Sequence, residues 1–125
     1  MSVRFSELVV DAKDPVALAA WWGRVLECPV QVDEEDDGVV AYLRPADSVR
    51  EIVFVPVTEP KTVKNRLHID LSPHGCDQAT ELERLLSLGA KQIDIGQGEQ
   101  TWHVLADPEG NELCLLRGRF DEPQR

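Results

Sequence analysis

The spacing of apolar residues predicts a strand and then a helix at the N-terminus. In FSELVVDAK, Leu8 and Val10 fall on one face of a strand, because side chains alternate sides along it. In DPVALAAWWGRVL the apolar residues recur at helical spacing, and Asp14 and Pro15 suit the N-cap and the first turn. CPVQVDEEDDGVVAYLRP predicts two strands around an acidic turn at 36–38, and REIVFVPV predicts a fourth strand.

The same order of elements begins again after the polar connector TEPKTVKN. RLHIDL predicts a strand, and CDQATELERLLSLGA predicts a helix that Gly89 ends with a left-handed cap. KQIDIG, TWHVLAD and ELCLLRG predict three more strands, and DPEGN between the last two has the composition of a tight turn. Each half of the chain therefore predicts a βαβββ unit.

A constant spacing relates the two halves. When the second half is shifted back by 61 positions, His68 falls on Glu7 and Glu112 falls on Glu51. The two residues of each half are 44 positions apart, and EIVFV overlays ELCLL. We predict an α+β fold for residues 1–125 as one domain, a curved mixed sheet around a trough with the helices outside. Its parts are a first module (4–57), a connector (58–64), a second module (65–118) and a tail (119–125).

Four polar residues occupy equivalent positions of the predicted modules. Glu7, Glu51, His68 and Glu112 are flanked by apolar residues that are expected to face the helices, so these four are expected to face the trough. Carboxylates that converge without a cation raise one another's pKa, so the set calls for a cation or a functional proton. The alternatives are a structural histidine and solvated glutamates, and surface exposure is the plainer expectation for Glu7.

Composition narrows the classes of partner. The chain has 23 acidic and 13 basic residues and a net charge of −10, which disfavours binding to nucleic acid or to anionic membranes. It has no apolar run near the ~20 residues of a membrane span and no signal-peptide pattern at its start. Cys28, Cys76 and Cys114 form no CxxC or zinc-like spacing, which indicates reduced thiols and a cytoplasmic protein.

Three stretches resemble one superfamily. DAKDPVALAAWWGRVL, RLHIDL and DPEGNELCLL are similar to the vicinal oxygen chelate superfamily, and most of all to its small bacterial glyoxalase-like members. The resemblance spans residues 4–118. The superfamily includes glyoxalase I, extradiol dioxygenases, epimerases, and bleomycin and fosfomycin resistance proteins. It implies a divalent metal held by residues of first and fourth strands, which binds two neighbouring oxygens of a substrate.

The resemblance also implies a set of metal ligands. His68 and Glu112 lie in matching motifs, and Glu51 matches the fourth-strand acid through the repeat. Glu7 departs from the pattern, which usually has His or Gln at that position. A set rich in carboxylates favours Mn, Mg or Fe, or Ni or Co, over a thiolate-type zinc site. The predicted cofactor is one divalent metal among Mn, Ni, Co, Fe, Mg and Zn, or none.

Two functions from different classes follow. The first is a metal-dependent lyase, isomerase or dioxygenase that acts on a small molecule with vicinal oxygens, with Glu51 as general base. The second is a metal-free binding or resistance protein that sequesters or senses a drug or toxin. In either case the partner is a small molecule, and the resemblance implies a homodimer whose site lies within one chain or between two.

Two further residues are candidates for substrate binding. Asp70 shares the strand face of His68, although simple hydration or a salt bridge to Arg66 or Lys64 is its plainer role. Trp102 and His103 alternate faces, so one of them is expected to point into the trough.

Overall fold

A computed structural model of the chain describes residues 2–36, 38–46, 48, 50–94, 96 and 101–121. The chain divides into two compact units, residues 1–60 and 61–125. The first unit contains β1 (Glu7–Ala12), α1 (Pro15–Leu26), β2 (Val30–Glu35), β3 (Gly38–Leu43) and β4 (Glu51–Pro56). The second contains β5 (Ile69–Leu71), α2 (Gln78–Ser87), β6 (Lys91–Gln92), β7 (His103–Ala106) and β8 (Glu112–Leu115).

Each unit folds into a mixed four-stranded sheet with one helix. The strand orders are β1-β4-β3-β2 and β5-β8-β7-β6, so the two sheets have the same topology. In each sheet the first and fourth strands of the unit are parallel neighbours, and the remaining pairs are antiparallel. The predicted α+β fold of two βαβββ units is confirmed.

Helix α1 begins and packs as its sequence predicts. The Asp14 carboxylate caps it by accepting a hydrogen bond from the Ala17 N–H at 3.1 Å, and Pro15 needs no such partner. Trp21 and Trp22 are buried and meet edge to face, with ring centroids 5.3 Å apart. Phe54 of β4 is buried as well, so all three aromatic side chains belong to the core of the first unit.

Helix α2 ends at the predicted glycine. Gly89 has φ of +107°, which an L side chain rarely adopts. Its N–H donates to the Leu86 carbonyl at 3.0 Å, and the Ala90 N–H donates to the Leu85 carbonyl at 3.1 Å. These two bonds form a Schellman motif, which satisfies carbonyls at the helix end. The fully buried side chains of the second unit include Leu85, Val104, Leu105, Leu113 and Leu115.

The structure differs from the prediction at the start of the second unit. RLHIDL was expected to be a strand throughout, but β5 contains only Ile69–Leu71. Just before this stretch, the Asn65 N–H donates to the Glu112 side chain and not to a neighbouring strand. Ile69 and Leu71, like Leu8 and Val10, are half-buried rather than fully buried. Two predicted positions, Asp37 of the acidic turn and Ile95 of KQIDIG, lie outside the described residues.

Neither helix in the described part of the chain has the length and apolar character of a membrane span.

Candidate functional site

The 44-residue spacing is the register of the parallel strands. In the first unit Glu7 of β1 lies beside Glu51 of β4. In the second unit Ile69 of β5 lies beside Leu113 of β8. His68 comes directly before Ile69, and Glu112 comes directly before Leu113, so the two occupy the next position of the same register. Neighbours in a parallel pair point to the same face of a sheet. The spacing in the sequence therefore reflects a same-face pairing within each unit.

In the first unit, Glu51 is held by an arginine. Its Oε1 is 2.9 Å from the Arg44 guanidinium, and that hydrogen bond is the main reason why the pKa of Glu51 is lower than its ordinary value. An ionised carboxylate with a lowered pKa is a weaker proton acceptor than a general base tuned toward neutral pH. Glu7 is exposed. The metal and catalytic roles of these two residues stay predictions.

The second unit has a polar face that we call the His68 face. It is the side of the sheet that carries His68, Asp70, Glu112 and Cys114, opposite to the side of the buried Leu113 and Leu115. In β7, Val104 pairs with Cys114 and Ala106 pairs with Glu112, so Trp102 continues the same row one residue before the strand. Trp102 is 37% exposed. Of the pair Trp102 and His103, alternation therefore assigns Trp102 to this face.

His103 lies on the other side of the sheet. Its Nδ1 is 3.0 Å from the Gln92 side-chain amide of β6, which is a cross-strand hydrogen bond. This hydrogen bond gives the His103 side chain a partner within the protein, so its position needs no bound ligand to explain it.

Glu112 is a buried carboxylate with a protein cation beside it. The side chain is only 7% exposed, and its Oε2 is 2.7 Å from the Lys61 ammonium. Its Oε1 accepts a hydrogen bond from the Asn65 backbone N–H at 2.8 Å. Burial by itself would raise the pKa of Glu112, but the bonds from Lys61 and Asn65 lower it below its ordinary value. The Glu112 carboxylate is thus held in its charged form.

The contact between Lys61 and Glu112 is an ion pair of imperfect alignment. Oε2 of Glu112 is fully buried and, among the described residues, has no hydrogen bond of good angle. The charge is balanced while one lone pair of the oxygen remains unused. The Lys61 ammonium therefore neutralises the Glu112 charge, while the unused lone pair would also suit a metal ion.

The DPEGN motif positions Glu112. The Asp107 carboxylate accepts hydrogen bonds from the N–H groups of Glu109 and Asn111, at 2.9 and 3.0 Å, and so closes the turn. Gly110 has φ of +87°, and a Cβ at this position would lie 4.0 Å from Cδ of Lys61. The turn therefore starts β8 directly at Glu112 and lies next to the stem of Lys61.

His68 and Asp70 bond to each other. His68 Nε2 is 3.1 Å from Asp70 Oδ1, and both side chains are about half exposed. The salt bridge that we expected from Asp70 to Arg66 or Lys64 is thus replaced by a contact with His68. The Cys114 thiol, which is buried, lies beneath them, and the donor atoms of the three residues all lie within 4.8 Å of one another. Burial, and then the Asp70 carboxylate, raise the pKa of Cys114.

Three residues of this face were not predicted as site residues: Lys61, Asn65 and Cys114. Lys61 and Asn65 belong to the stretch KTVKNR at the end of the polar connector, which contributed no candidate site residue. Cys114 resembled an ordinary strand residue. The signal for Cys114 was its alternation with Glu112, which assigns both to one face.

The comparison with known families gives one match over most of the chain. A family model described as glyoxalase-like domain matches residues 7–116. A search of curated protein sequences found no match.

Solved structures with the same fold have low sequence identity. The fosfomycin resistance protein FosX from Mesorhizobium loti is 14% identical with a TM-score of 0.69, over 96% of this chain and 95% of that one. A mutant FosX from Listeria monocytogenes, complexed with Mn(II) and 1S,2S-dihydroxypropylphosphonic acid, is 15% identical with a TM-score of 0.64, over 97% and 94%. TnmS3, an antibiotic-binding protein from Streptomyces sp. CB03234, is 14% identical with a TM-score of 0.65, over 94% and 98%.

At these identities the likeness to solved structures shows the fold alone. The family assignment rests on the model that matches residues 7–116 and agrees with the two βαβββ units. The chain therefore belongs to the glyoxalase-like domain family, which agrees with the resemblance found in the sequence.

Proposed function

We propose that this protein binds a small organic molecule with neighbouring oxygens at the His68 face, and that Lys61 rather than a divalent metal neutralises Glu112 there. The observation that carries the proposal is the 2.7 Å ion pair between Lys61 and the buried Glu112. Binding without a metal is the second of the two functions that the sequence left open, and the neighbouring oxygens of the ligand are taken from the first.

Charge balance supports a metal-free site at Glu112. Two unit charges about 4 Å apart interact by roughly 4 kcal/mol at the effective dielectric near a protein surface. A divalent ion bound to Glu112 would therefore be repelled by the ammonium at 2.7 Å unless Lys61 moved away. The Asn65 N–H already occupies the other carboxylate oxygen.

The remaining groups of the face suit an organic ligand. His68 and Asp70 are half exposed and offer a ring nitrogen and carboxylate oxygens as hydrogen-bonding groups. Trp102 offers a partly exposed aromatic ring, which combines a large apolar area with an N–H donor. A few polar groups beside an aromatic surface are typical of small-molecule sites. Among the structures that share the fold, TnmS3 is named an antibiotic-binding protein, and the mutant FosX is complexed with 1S,2S-dihydroxypropylphosphonic acid together with Mn(II).

The test uses catechol and 1S,2S-dihydroxypropylphosphonic acid as probes with vicinal oxygens, in EDTA. We expect at least one probe to raise the melting temperature and to change tryptophan fluorescence in a saturable way. Trp102→Phe should abolish the fluorescence change, because Trp21 and Trp22 are buried in the other unit. His68→Ala should weaken binding by about tenfold, the value of one lost hydrogen bond.

The same titration has two outcomes that would contradict the proposal. If no probe binds in EDTA but one binds after Mn²⁺ is added, the metal-free proposal is wrong and the second candidate below replaces it. If no probe binds in either buffer, the proposed ligand class is wrong.

The second candidate is a metal-dependent lyase, isomerase or dioxygenase. It is favoured by the buried Oε2 of Glu112, which has no well-aligned hydrogen bond, and by the register that brings His68 beside Glu112. In this case His68 and Glu112 would hold the metal, and the sequence adds Glu51 and Glu7 to the set. A bound divalent metal would supply positive charge for an anionic substrate oxygen. Metal that copurifies with the untagged protein and is lost in Glu112→Gln would select this candidate.

We further propose that the protein works in the cytoplasm as a homodimer. The three cysteines Cys28, Cys76 and Cys114 are free, which suits a reducing compartment. Equilibrium sedimentation of the untagged protein tests the dimer.

A further inference from the structure

We infer that His68, Asp70 and Cys114 form a binding site for a thiophilic divalent cation such as Zn²⁺, built entirely within the second unit and independent of Glu112. The inference does not rest on the proposed ligand-binding function, although it uses two of the same side chains, His68 and Asp70. It also names a donor set different from the carboxylate-rich one that the sequence predicted.

Strand register brings the three donors together. Asp70 of β5 and Cys114 of β8 are direct neighbours in the parallel pair, so their side chains leave the sheet on the same side. His68 lies two residues before Asp70 and reaches the same side, as the 3.1 Å contact between the two side chains requires. The cluster thus follows from backbone pairing, which holds it in place without a metal.

The distances are close to those of a tetrahedral site. Zinc bonds of about 2.0 Å to nitrogen or oxygen and 2.3 Å to sulfur separate tetrahedral donor atoms by roughly 3.3–3.8 Å. The donor atoms here lie within 4.8 Å of one another, with 3.1 Å between His68 and Asp70. Closing the set therefore needs only small side-chain rotations. His68 and Asp70 bond to each other but are half exposed, so both have room to turn toward a cation, whereas the buried Cys114 supplies a fixed anchor.

The chemistry of the donors selects the cation. A thiolate together with an imidazole suits Zn²⁺, Co²⁺ or Ni²⁺ better than Mg²⁺ or Mn²⁺, which prefer oxygen ligands. Three protein ligands leave a fourth position open, as in catalytic rather than structural zinc sites. Because His68 and Asp70 are exposed, water or a ligand oxygen can reach that position.

The charges around the cluster are consistent with a cation. Asp70 is negative, and a metal-bound Cys114 would lose its proton and add a second negative charge. Lys64 is the positive charge that acts on Cys114. It is exposed and on a flexible stem, so it can turn toward water when a cation arrives.

Cobalt reports directly on thiolate ligation. We titrate the full-length, untagged protein with Co²⁺ and record the near-ultraviolet band of charge transfer from sulfur to cobalt. The wild type should show a saturable band. Cys114→Ser should abolish the band, and Asp70→Asn should weaken binding by at least about 10–100-fold, the range for loss of supporting ligands.

Two control variants distinguish this site from the metal site that the family resemblance implies, which includes Glu112. Cys76→Ser changes a half-buried cysteine outside the cluster and should leave the band intact. Glu112→Gln should also leave it intact, and circular dichroism of each variant checks that it is folded. Absence of saturable binding in the wild type overturns the inference. It is also overturned if binding survives Cys114→Ser, or if Glu112→Gln removes it.

Discussion

Leu113→Ala is expected to lower the free energy of unfolding by about 2–5 kcal/mol, the usual cost of removing a buried leucine side chain. Leu113 is 0% exposed and lies between Glu112 and Cys114 on β8. It pairs with Leu105 of β7 and with Ile69 of β5, so the truncation leaves a cavity bounded by two neighbouring strands. Urea denaturation of the wild type and the variant measures the loss.

The matched control is Leu67→Ala in the same unit. Leu67 is 81% exposed, so the same truncation there should change the free energy of unfolding by no more than about 0.5 kcal/mol. Comparable losses for the two variants would contradict the assignment of Leu113 to the core side of β8. That result would also remove the argument that Glu112 and Cys114 share the opposite side.

Lys61→Met is expected to destabilise the protein by about 1–3 kcal/mol at neutral pH, the cost of leaving a buried polar group unsatisfied. Methionine keeps most of the apolar stem, so the change removes mainly the ammonium beside Glu112. The carboxylate then keeps only the hydrogen bond from the Asn65 N–H. Urea denaturation at several pH values measures the effect.

The sign of the pH dependence follows from the pKa of Glu112. That pKa is lowered in the folded protein, so the carboxylate stabilises the fold above its unfolded pKa of about 4.3. This stabilisation is lost as the pH falls through the lower folded value. Removal of Lys61 raises the folded pKa of Glu112. The gap between wild type and Lys61→Met should therefore be largest near neutral pH and should narrow in acid.

Two variants test whether the effect passes through Glu112. Lys64→Met removes a charge from the same connector, where the Lys64 ammonium contacts only the neighbouring Asn65 carbonyl, at 3.4 Å, among its described hydrogen bonds. It should cost less than about 0.5 kcal/mol. In the double variant Lys61→Met with Glu112→Gln, most of the stability should return, because no buried charge is left unpaired. An equal loss in Lys61→Met and Lys64→Met would contradict the ion pair as the source.

Local signals were sufficient to predict the elements and their order. The caps at Asp14 and Gly89 and the apolar stripe of α1 depend on neighbours within a few residues, and all three lie where the sequence predicts them. The 44-residue spacing also predicted that the first and fourth strands of each unit are neighbours. The same interval occurs in both halves because both strand pairs have the same register. The strand at RLHIDL was predicted too long, and the Asn65 N–H directly before it bonds to Glu112, 47 positions away, a contact that no local pattern shows.

The sequence by itself determined the βαβββ repeat and the face on which His68 and Glu112 lie, since strand alternation and register depend on spacing alone. Only the tertiary structure decided what each polar side chain contacts. Lys61 meets Glu112 because the connector folds back over the DPEGN turn, and His68 meets Asp70 and Cys114 because β5 lies beside β8. Such contacts join groups distant in the chain, and long, rotatable side chains such as Lys61 reach partners that no local pattern encodes.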